Sequence, residues 1–173
     1  MNKTLIIGNT VALLASLFMV YSGILKKKNR ILIAQNVQII LLIISNIILG
    51  GISGAISNTA GLIRNLLYQK KWLKMPIKIA LTLISSIIAI KLNTEGIIGY
   101  LPLLANAVYI FLMDLKDVKK FKLLLIATMT MWLIYDILIK SYTSATFDFA
   151  TIVANIVVLI KMQTNKDKII NEK

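Results

Sequence analysis

The amino-acid sequence predicts an all-α integral membrane protein whose seven transmembrane helices form two parallel three-helix repeats joined by a linker helix. The first observation is composition: 58% of the 173 residues are hydrophobic, and a soluble domain of this size needs far more polar surface. Second, the apolar residues come in blocks of roughly 15–22 residues, close to the ~20 that a helix needs to cross hydrocarbon. Third, polar positions inside these blocks are duplicated.

Seven apolar segments lie between short polar loops. In chain order they are Thr4 to Leu25, Ile31 to Leu49, Ile52 to Tyr68, Pro76 to Ile90, Ile97 to Leu115, Phe121 to Ile139, and Phe147 to Met162. The first segment has no small-residue cleavage site, so we interpret it as a spanning helix and not as a signal peptide. Pro76 fits the first turn of the short fourth segment, where a missing N–H costs nothing.

The distribution of charge predicts an orientation. If the seven segments alternate across the membrane, sixteen basic residues fall on one side and only Lys3, Lys91 and Lys140 on the other. Cytoplasmic loops carry the excess of positive charge in membrane proteins. The sequence therefore predicts a multi-pass membrane protein with its N-terminus outside and its C-terminus in the cytoplasm. The same distribution explains the net charge of +13 without a nucleic-acid partner.

The residue types exclude several kinds of chemistry. Cysteine and histidine are both absent, which removes disulfides, thiolates, imidazole bases and the usual transition-metal ligands. No Gly-rich phosphate loop, no carboxylate pair at a useful spacing and no nucleophile beside a base is visible. We therefore expect no enzyme, no cofactor and no metal. The expected partners are the lipid bilayer and a small polar solute.

The duplication relates the first three segments to the last three. Ile6-Ile7-Gly8 reappears as Ile97-Ile98-Gly99, and from the second segment onward the offset is ninety residues. Three pairs of polar residues coincide at this offset: Asn46 with Asp136, Asn58 with Asp148, and Asn65 with Asn155. The predicted organisation is a first repeat over 1–75, a linker helix over 76–92, a second repeat over 93–163 and a cytoplasmic tail over 164–173. A single linker span makes the two repeats parallel.

Polar groups at membrane depth are costly, so they mark candidate functional positions. Asp136 lies inside the sixth segment, and it is predicted either to contact a solute and exchange protons or to pair with Lys140, one turn later. Asn58 and Asp148 each stand near the start of a segment, where they fit helix N-caps. Together with Asn46 they are the candidate residues of an outer gate.

With Asp136, four further residues are candidates for the binding site itself. Asn65 and Asn155 lie deep in their segments, where an amide needs a partner on another helix or on a ligand. Trp132 and Tyr135 share one helix face beside Asp136, an arrangement that suits a planar or sugar-like solute.

Arg64 follows a different pattern. It is adjacent to Asn65 and is expected to point in another direction, either toward the headgroups or toward polar groups of the second segment. Contact with an anionic group is the alternative. The small residues between Gly50 and Gly61 predict close helix packing, within one repeat or with a second copy of the chain. Pro102 is expected to kink the fifth helix.

Two stretches resemble a known family. AISNTAGLIRNLLYQKK, with Asn58, Arg64 and Asn65, and MWLIYDILIKSYTSATFDF, with its Trp-x-x-Tyr-Asp motif, are similar to the YgjV-type family of bacterial inner-membrane proteins. The 3+1+3 layout separately resembles the SWEET and PnuC transporters. That resemblance implies that Trp132, Asn65 and Asn155 line a cavity between the repeats. The chain departs from the sugar-transporter pattern because paired prolines are missing and Leu41 or Leu42 matches Trp132.

These patterns support two functions. The first is a transporter that moves a small polar solute by alternating access between the two three-helix bundles. The alternative is a non-transporting membrane protein that assembles with itself or a partner. In the first case Asn65 and Asn155 face each other across a void, and in the second they pack against their own bundles.

Overall fold

The computed structural model describes residues 3–24, 28–115 and 117–171, and within these ranges the chain is all-helical, as predicted. The helices are α1 (Lys3–Ile24), α2 (Lys28–Leu49), α3 (Ile52–Gln69), α4 (Met75–Leu92), α5 (Tyr100–Leu112), α6 (Val118–Leu138) and α7 (Tyr142–Asn171), with a short 3₁₀ helix over Gly96–Gly99 before α5. Four of the described helices, α1, α2, α4 and α7, are long and apolar enough to cross a membrane.

Six of the helices close into a ring. Each packs against the next in the order α1, α2, α3, α5, α6, α7, and α7 returns to pack against α1. The remaining helix, α4, lies outside the ring. Among the described helices, it packs substantially only against α3 and α5. The six helices of the ring surround a common interior.

The pattern of burial is inverted relative to a soluble protein. Large apolar side chains point outward on every long helix, for example Leu17, Ile84 and Ile160. Polar side chains such as Ser45 and Asn65 are buried inside. This arrangement suits a hydrocarbon solvent, because apolar surface then faces lipid and polar groups are satisfied within the protein. The structure therefore fits a membrane protein.

The start of α7 differs from the prediction, because the polar stretch before Phe147 is helical and α7 begins at Tyr142. The polar side chains there supply partners for the orphan groups of a first helical turn. Ser141 and Ser144 bond through their hydroxyl groups, and the Thr143 amide donates to Asn9 Oδ1 at 3.0 Å. The turn is therefore stable as helix.

This boundary corrects two predicted roles. Asp148 lies six residues after the start of α7, and Asn58 lies six residues after the start of α3 at Ile52. Both are beyond the first turn, so the N-cap interpretation was wrong for both residues. The kink predicted at Pro102 was also wrong, because Pro102 lies in the first turn of α5, where the helix needs no N–H from it.

The connections α2–α3 and α6–α7 have the same backbone geometry. Gly50 and Lys140, ninety residues apart, both adopt positive φ, at 81° and 63°. The residue that follows each donates its amide to the carbonyl five residues back: Gly51 to Asn46 O at 2.7 Å and Ser141 to Asp136 O at 2.8 Å. These are the bonds of a Schellman helix end, which requires a left-handed residue and favours glycine.

Substitutions at the left-handed residues of the two turns are expected to change stability in opposite directions. Lys140→Gly removes the cost of holding a side chain in the left-handed region and is expected to stabilise the protein by about 1 kcal/mol. Gly50→Ala introduces that cost and is expected to destabilise by a similar amount. Thermal melting in detergent compares the variants with the wild type. Equal melting temperatures for both would contradict this account of the turns.

Candidate functional site

The ring encloses a cavity of about 460 Å³, within the usual range for small-molecule sites of roughly 300–1,000 Å³. Its lining is rich in polar side chains from six helices. The polar lining residues are Ser16, Gln35, Gln38, Asn46, Ser57, Asn58, Arg64, Asn65, Asn106, Tyr109, Thr128, Trp132, Asp136, Ser144, Asp148 and Thr151. Seven of the nine predicted site residues are among them. The exceptions are Tyr135 and Asn155.

Many lining positions are related by the ninety-residue offset. The pairs are Gln35 and Leu125, Gln38 and Thr128, Ile39 and Met129, Leu42 and Trp132, Asn46 and Asp136, Ser57 and Phe147, Asn58 and Asp148, and Gly61 and Thr151. The lining therefore contains eight pairs of residues at this offset. The two sets differ in chemistry, because Trp132 stands opposite a leucine position and the two aspartates stand opposite asparagines.

One end of the cavity holds a carboxyl pair. Asp136 on α6 and Asp148 on α7 lie within hydrogen-bond contact of each other. Asp136 is 4% exposed, and Asp148 Oδ2 is buried without a partner among the described residues. The ion pair between Asp136 and Lys140 that the sequence also allowed is not formed: neither carboxyl group has a cation of the described residues at ion-pair distance.

The other end holds a half-buried cation. The Arg64 guanidinium donates to Asn65 Oδ1 through Nε at 3.1 Å and Nη2 at 3.0 Å, and to Asn106 Oδ1 through Nη1 at 3.1 Å. Its Cζ lies 4.6 Å from the centre of the Tyr109 ring. The expectation that Arg64 points away from Asn65 was wrong, because a long side chain can fold back to an adjacent amide. No carboxylate of the described residues lies at ion-pair distance from it.

Tyr135 does not line the cavity but contacts residues around it. Its side chain is fully buried, and its hydroxyl accepts a hydrogen bond from the Gly54 amide at 2.9 Å. Its ring meets Trp132 edge-on, with centroids 5.9 Å apart and an interplanar angle of 86°. Tyr135 therefore orients Trp132, which lines the cavity, and joins α6 to the start of α3.

Asn65 and Asn155 do not face each other across the cavity. The Asn65 amide donates to Asn36 Oδ1 on α2 at 3.2 Å, while Asn155 Oδ1 accepts from Lys122 Nζ on α6 at 3.2 Å. Each is thus bound to the neighbouring helix in sequence. Asn65 still lines the cavity, whereas Asn155 does not.

Sequence reasoning missed two sets of hydrogen bonds at the starts of α3 and α7. Asn9 on α1 donates to Lys140 O and accepts from the Thr143 amide, both at 3.0 Å. Glu95 accepts from the Ser53 amide in the first turn of α3, also at 3.0 Å. Ser53 and Thr143 are ninety residues apart, so both third helices are capped from outside their own repeat. Glu95 was visible as one of only seven acidic residues.

The fold and the site define an all-helical membrane protein with a polar cavity inside a ring of helices. A family model described as a bacterial inner membrane protein, Imp-YgjV, matches residues 6–166. The chain belongs to this family, as the sequence resemblance indicated, and it is a protein of the bacterial inner membrane. No curated protein and no solved structure matches it.

Two glycines of α3 predict a contrast in stability. A Cβ on Gly54 would lie 2.7 Å from Tyr135 Cε1 and 2.8 Å from Asn46 Nδ2, whereas a Cβ on Gly61 would meet nothing closer than 3.7 Å. Gly54→Ala is therefore expected to cost about 1–3 kcal/mol through overpacking. Gly61→Ala is the matched control and should melt like the wild type. A Gly54→Ala variant of unchanged stability would contradict the close packing of α3 on α6.

A substitution at Asn106 tests how much the hydrogen bonds of Arg64 contribute to the free energy of unfolding. Asn106→Leu removes an acceptor that joins α5 to the half-buried Arg64 of α3, and losing one hydrogen bond to a charged group costs roughly 1.5–3 kcal/mol. The free energy of unfolding in detergent measures the loss. Leu104→Val, on the outward face of the same helix, is the control. Equal stability of the two variants would show that Asn106 does not hold Arg64.

Proposed function

We propose that this protein is a small-solute transporter whose cavity lies between two three-helix bundles, α1–α3 and α5–α7. The observation that carries the proposal is the polar cavity itself. Transport by alternating access needs a central site shared by two equivalent bundles, and eight pairs of its lining residues lie at matching positions of the two halves.

The packing of the helices supports the same division. In the proposed repeat α1 corresponds to α5, and α3 corresponds to α7. The α1–α7 contact and the α3–α5 contact therefore correspond, because each joins the first helix of one half to the third helix of the other. The two turns with left-handed residues and the two capped third helices repeat at the same offset. These features support a parallel repeat with α4 as the linker helix, which contacts only α3 and α5 among its well-packed neighbours.

The orientation follows from the loops. The start of α1 and the α2–α3, α4–α5 and α6–α7 connections share one end of the ring, as the contacts of Asn9 and Glu95 with the starts of α7 and α3 indicate. This end has few basic residues and is assigned to the outside. The lysine-rich end, where Lys78 pairs with Asp114, is assigned to the cytoplasm.

The lining suggests a polar solute with both donors and acceptors. Trp132 offers an aromatic face, Asn65 and Asn58 offer amides, and Asp136 and Arg64 offer opposite charges at the two ends. In this proposal Asn46, Asn58 and Asp148 belong to the outer part of the cavity. The positions of Tyr135 and Asn155 favour supporting roles.

A second function is favoured by one observation. Asn65 and Asn155 are each bonded within their own bundle, as expected for a non-transporting protein that assembles through helix–helix contacts. A groove of about 360 Å³ between α2, α3 and α4 is lined almost entirely by apolar side chains and supplies a face for such assembly. Transport has the stronger support because residues of both bundles line the cavity and place carboxyl, amide and guanidinium groups in it.

The transport proposal predicts the effect of filling the cavity. In proteoliposomes screened with radiolabelled sugars, nucleosides, vitamins and amino acids, we expect the wild type to take up at least one solute above empty liposomes. Gly61→Leu places a side chain into the cavity and is expected to lower that uptake at least tenfold without unfolding the protein. Ile63→Leu, on the outward face of α3, is the control.

Two results would count against transport. One is the absence of wild-type uptake for every solute of the panel in correctly reconstituted vesicles. The other is unchanged uptake by a Gly61→Leu variant that melts like the wild type.

A further inference from the structure

We propose that Asp136 and Asp148 form a proton-binding site in the wall of the cavity, in which the two carboxyl groups share one proton. The site would couple solute movement to the proton gradient, and this coupling role rests on the proposed transport function. The binding of the proton itself does not depend on transport and can be tested without a solute.

The geometry of the pair requires a proton. The two carboxyl groups are in hydrogen-bond contact, and a carboxylate has no donor hydrogen of its own. Two negative charges this close repel each other strongly, so a proton on one of the carboxyl groups is favoured. A proton on one oxygen converts the contact into an O–H···O⁻ hydrogen bond, which is among the strongest found in proteins.

The surroundings of the pair offer no substitute for the proton. No cationic side chain of the described residues lies at ion-pair distance from either group. Arg64 and Tyr109 line the same cavity, but they form a separate cluster in which Arg64 bonds to amides. From α1 the cavity receives only Ser16 and Met19.

The charged residues near the Asp136–Asp148 pair are Glu95 and Lys140, and both are directed elsewhere. Glu95 lies beside the Tyr135 hydroxyl and accepts from the Ser53 amide. Lys140 is exposed to the surroundings at the end of α6. The 3₁₀ helix over Gly96–Gly99, which packs against α6, has no titratable side chain.

The first repeat provides an internal comparison. At the positions that match Asp136 and Asp148 it carries Asn46 and Asn58. An amide keeps its donor hydrogens at every pH, whereas a carboxyl group has a donor only while it is protonated. One bundle therefore presents permanent donors to the cavity and the other presents a donor that can be removed.

A second observation points to an exchangeable ligand at this place. Asn58 is only 9% exposed, and its Nδ2 donor is buried without a partner among the described residues. Ser57 Oγ and Asp148 Oδ2 are in the same condition. All three residues line the same cavity as Asp136. Buried groups of this kind normally bind water or a ligand, which gives a proton a path to the pair.

The proposed step is a simple proton transfer. A proton from water on the side to which the cavity is open forms an O–H bond on one carboxyl oxygen. The bond breaks when the cavity opens to the other side and the proton passes to water there. No electrons are transferred and no other bond changes.

Infrared difference spectroscopy of the purified protein in H₂O and D₂O tests the site. The wild type is expected to show a carboxylic-acid C=O band at neutral pH, which loses intensity as the pH is raised. Asp136→Asn and Asp148→Asn should each abolish the band. Both variants are expected to fold, because the first repeat carries asparagine at the matching positions.

Asp117→Asn is the matched control. Asp117 is exposed and caps α6 by accepting from the amides of Lys119 and Lys120, and asparagine caps a helix equally well. This variant should keep the band. With only seven acidic residues in the chain, the assignment of the band is direct.

A fluorescence titration supplies a second readout. In a Trp72→Phe background Trp132 is the remaining tryptophan, and it lies one helical turn from Asp136 in the cavity wall. Its emission is expected to change with pH, and the change should disappear in Asp136→Asn and Asp148→Asn.

The outcomes separate the proton site from the transport function. A wild-type protein without the band, or a band that survives both aspartate substitutions, would overturn the proposal. So would a Trp132 signal that responds to Na⁺ at constant pH in place of protons, since the pair would then be a sodium site. A band that behaves as expected in a protein that transports none of the tested solutes would support the proton site and count only against transport.

Discussion

The rest of the structure depends on the hydrogen bonds that cap α3 and α7 at the end of the ring where Asp136 and Asp148 lie. In hydrocarbon the first-turn amides of a helix have no water to bond, so each needs a partner from the protein. Here Asn9 supplies one to α7 and Glu95 supplies one to α3. Because each acceptor lies outside the three-helix bundle that contains the capped helix, the caps join the two halves of the ring at this end.

Tyr135 adds a third contact of the same kind. Its hydroxyl accepts from the Gly54 amide, and the space for the ring exists only because positions 51 and 54 carry glycine. The cost of losing such a contact is the cost of an unsatisfied buried amide, about 1–3 kcal/mol. The contact therefore joins α6 to the start of α3.

The two halves share a backbone but differ in the chemistry that they present to the cavity. The turns at Gly50 and Lys140 have the same geometry, and eight pairs of lining positions lie ninety residues apart. Among these pairs α1–α3 places Asn46 and Asn58, and α5–α7 places Asp136 and Asp148. One wall of the cavity thus carries a fixed set of donors and the other carries ionisable groups.

The sequence by itself determined the class of the protein. Composition, the length of the apolar segments and the duplicated polar positions predicted an all-helical membrane protein, and the resemblance in two short stretches predicted its family. These features are local: hydropathy over twenty residues and the identity of single buried polar residues are properties of the chain before it folds. The polar residues Asn46, Asn58, Arg64, Asn65, Trp132, Asp136 and Asp148 were found in the same way, and they line one cavity.

Only the tertiary structure decided how those residues are paired. Helix starts depend on side chains from elsewhere in the chain, so the Asn9 cap moved the start of α7 to Tyr142 and made Asp148 an interior residue. The contact between Asp136 and Asp148, the folding back of Arg64 onto Asn65 and the bonding of Asn155 to Lys122 depend on the rotation of each helix about its axis. That rotation is set by packing between helices, for which hydropathy carries no information in a membrane.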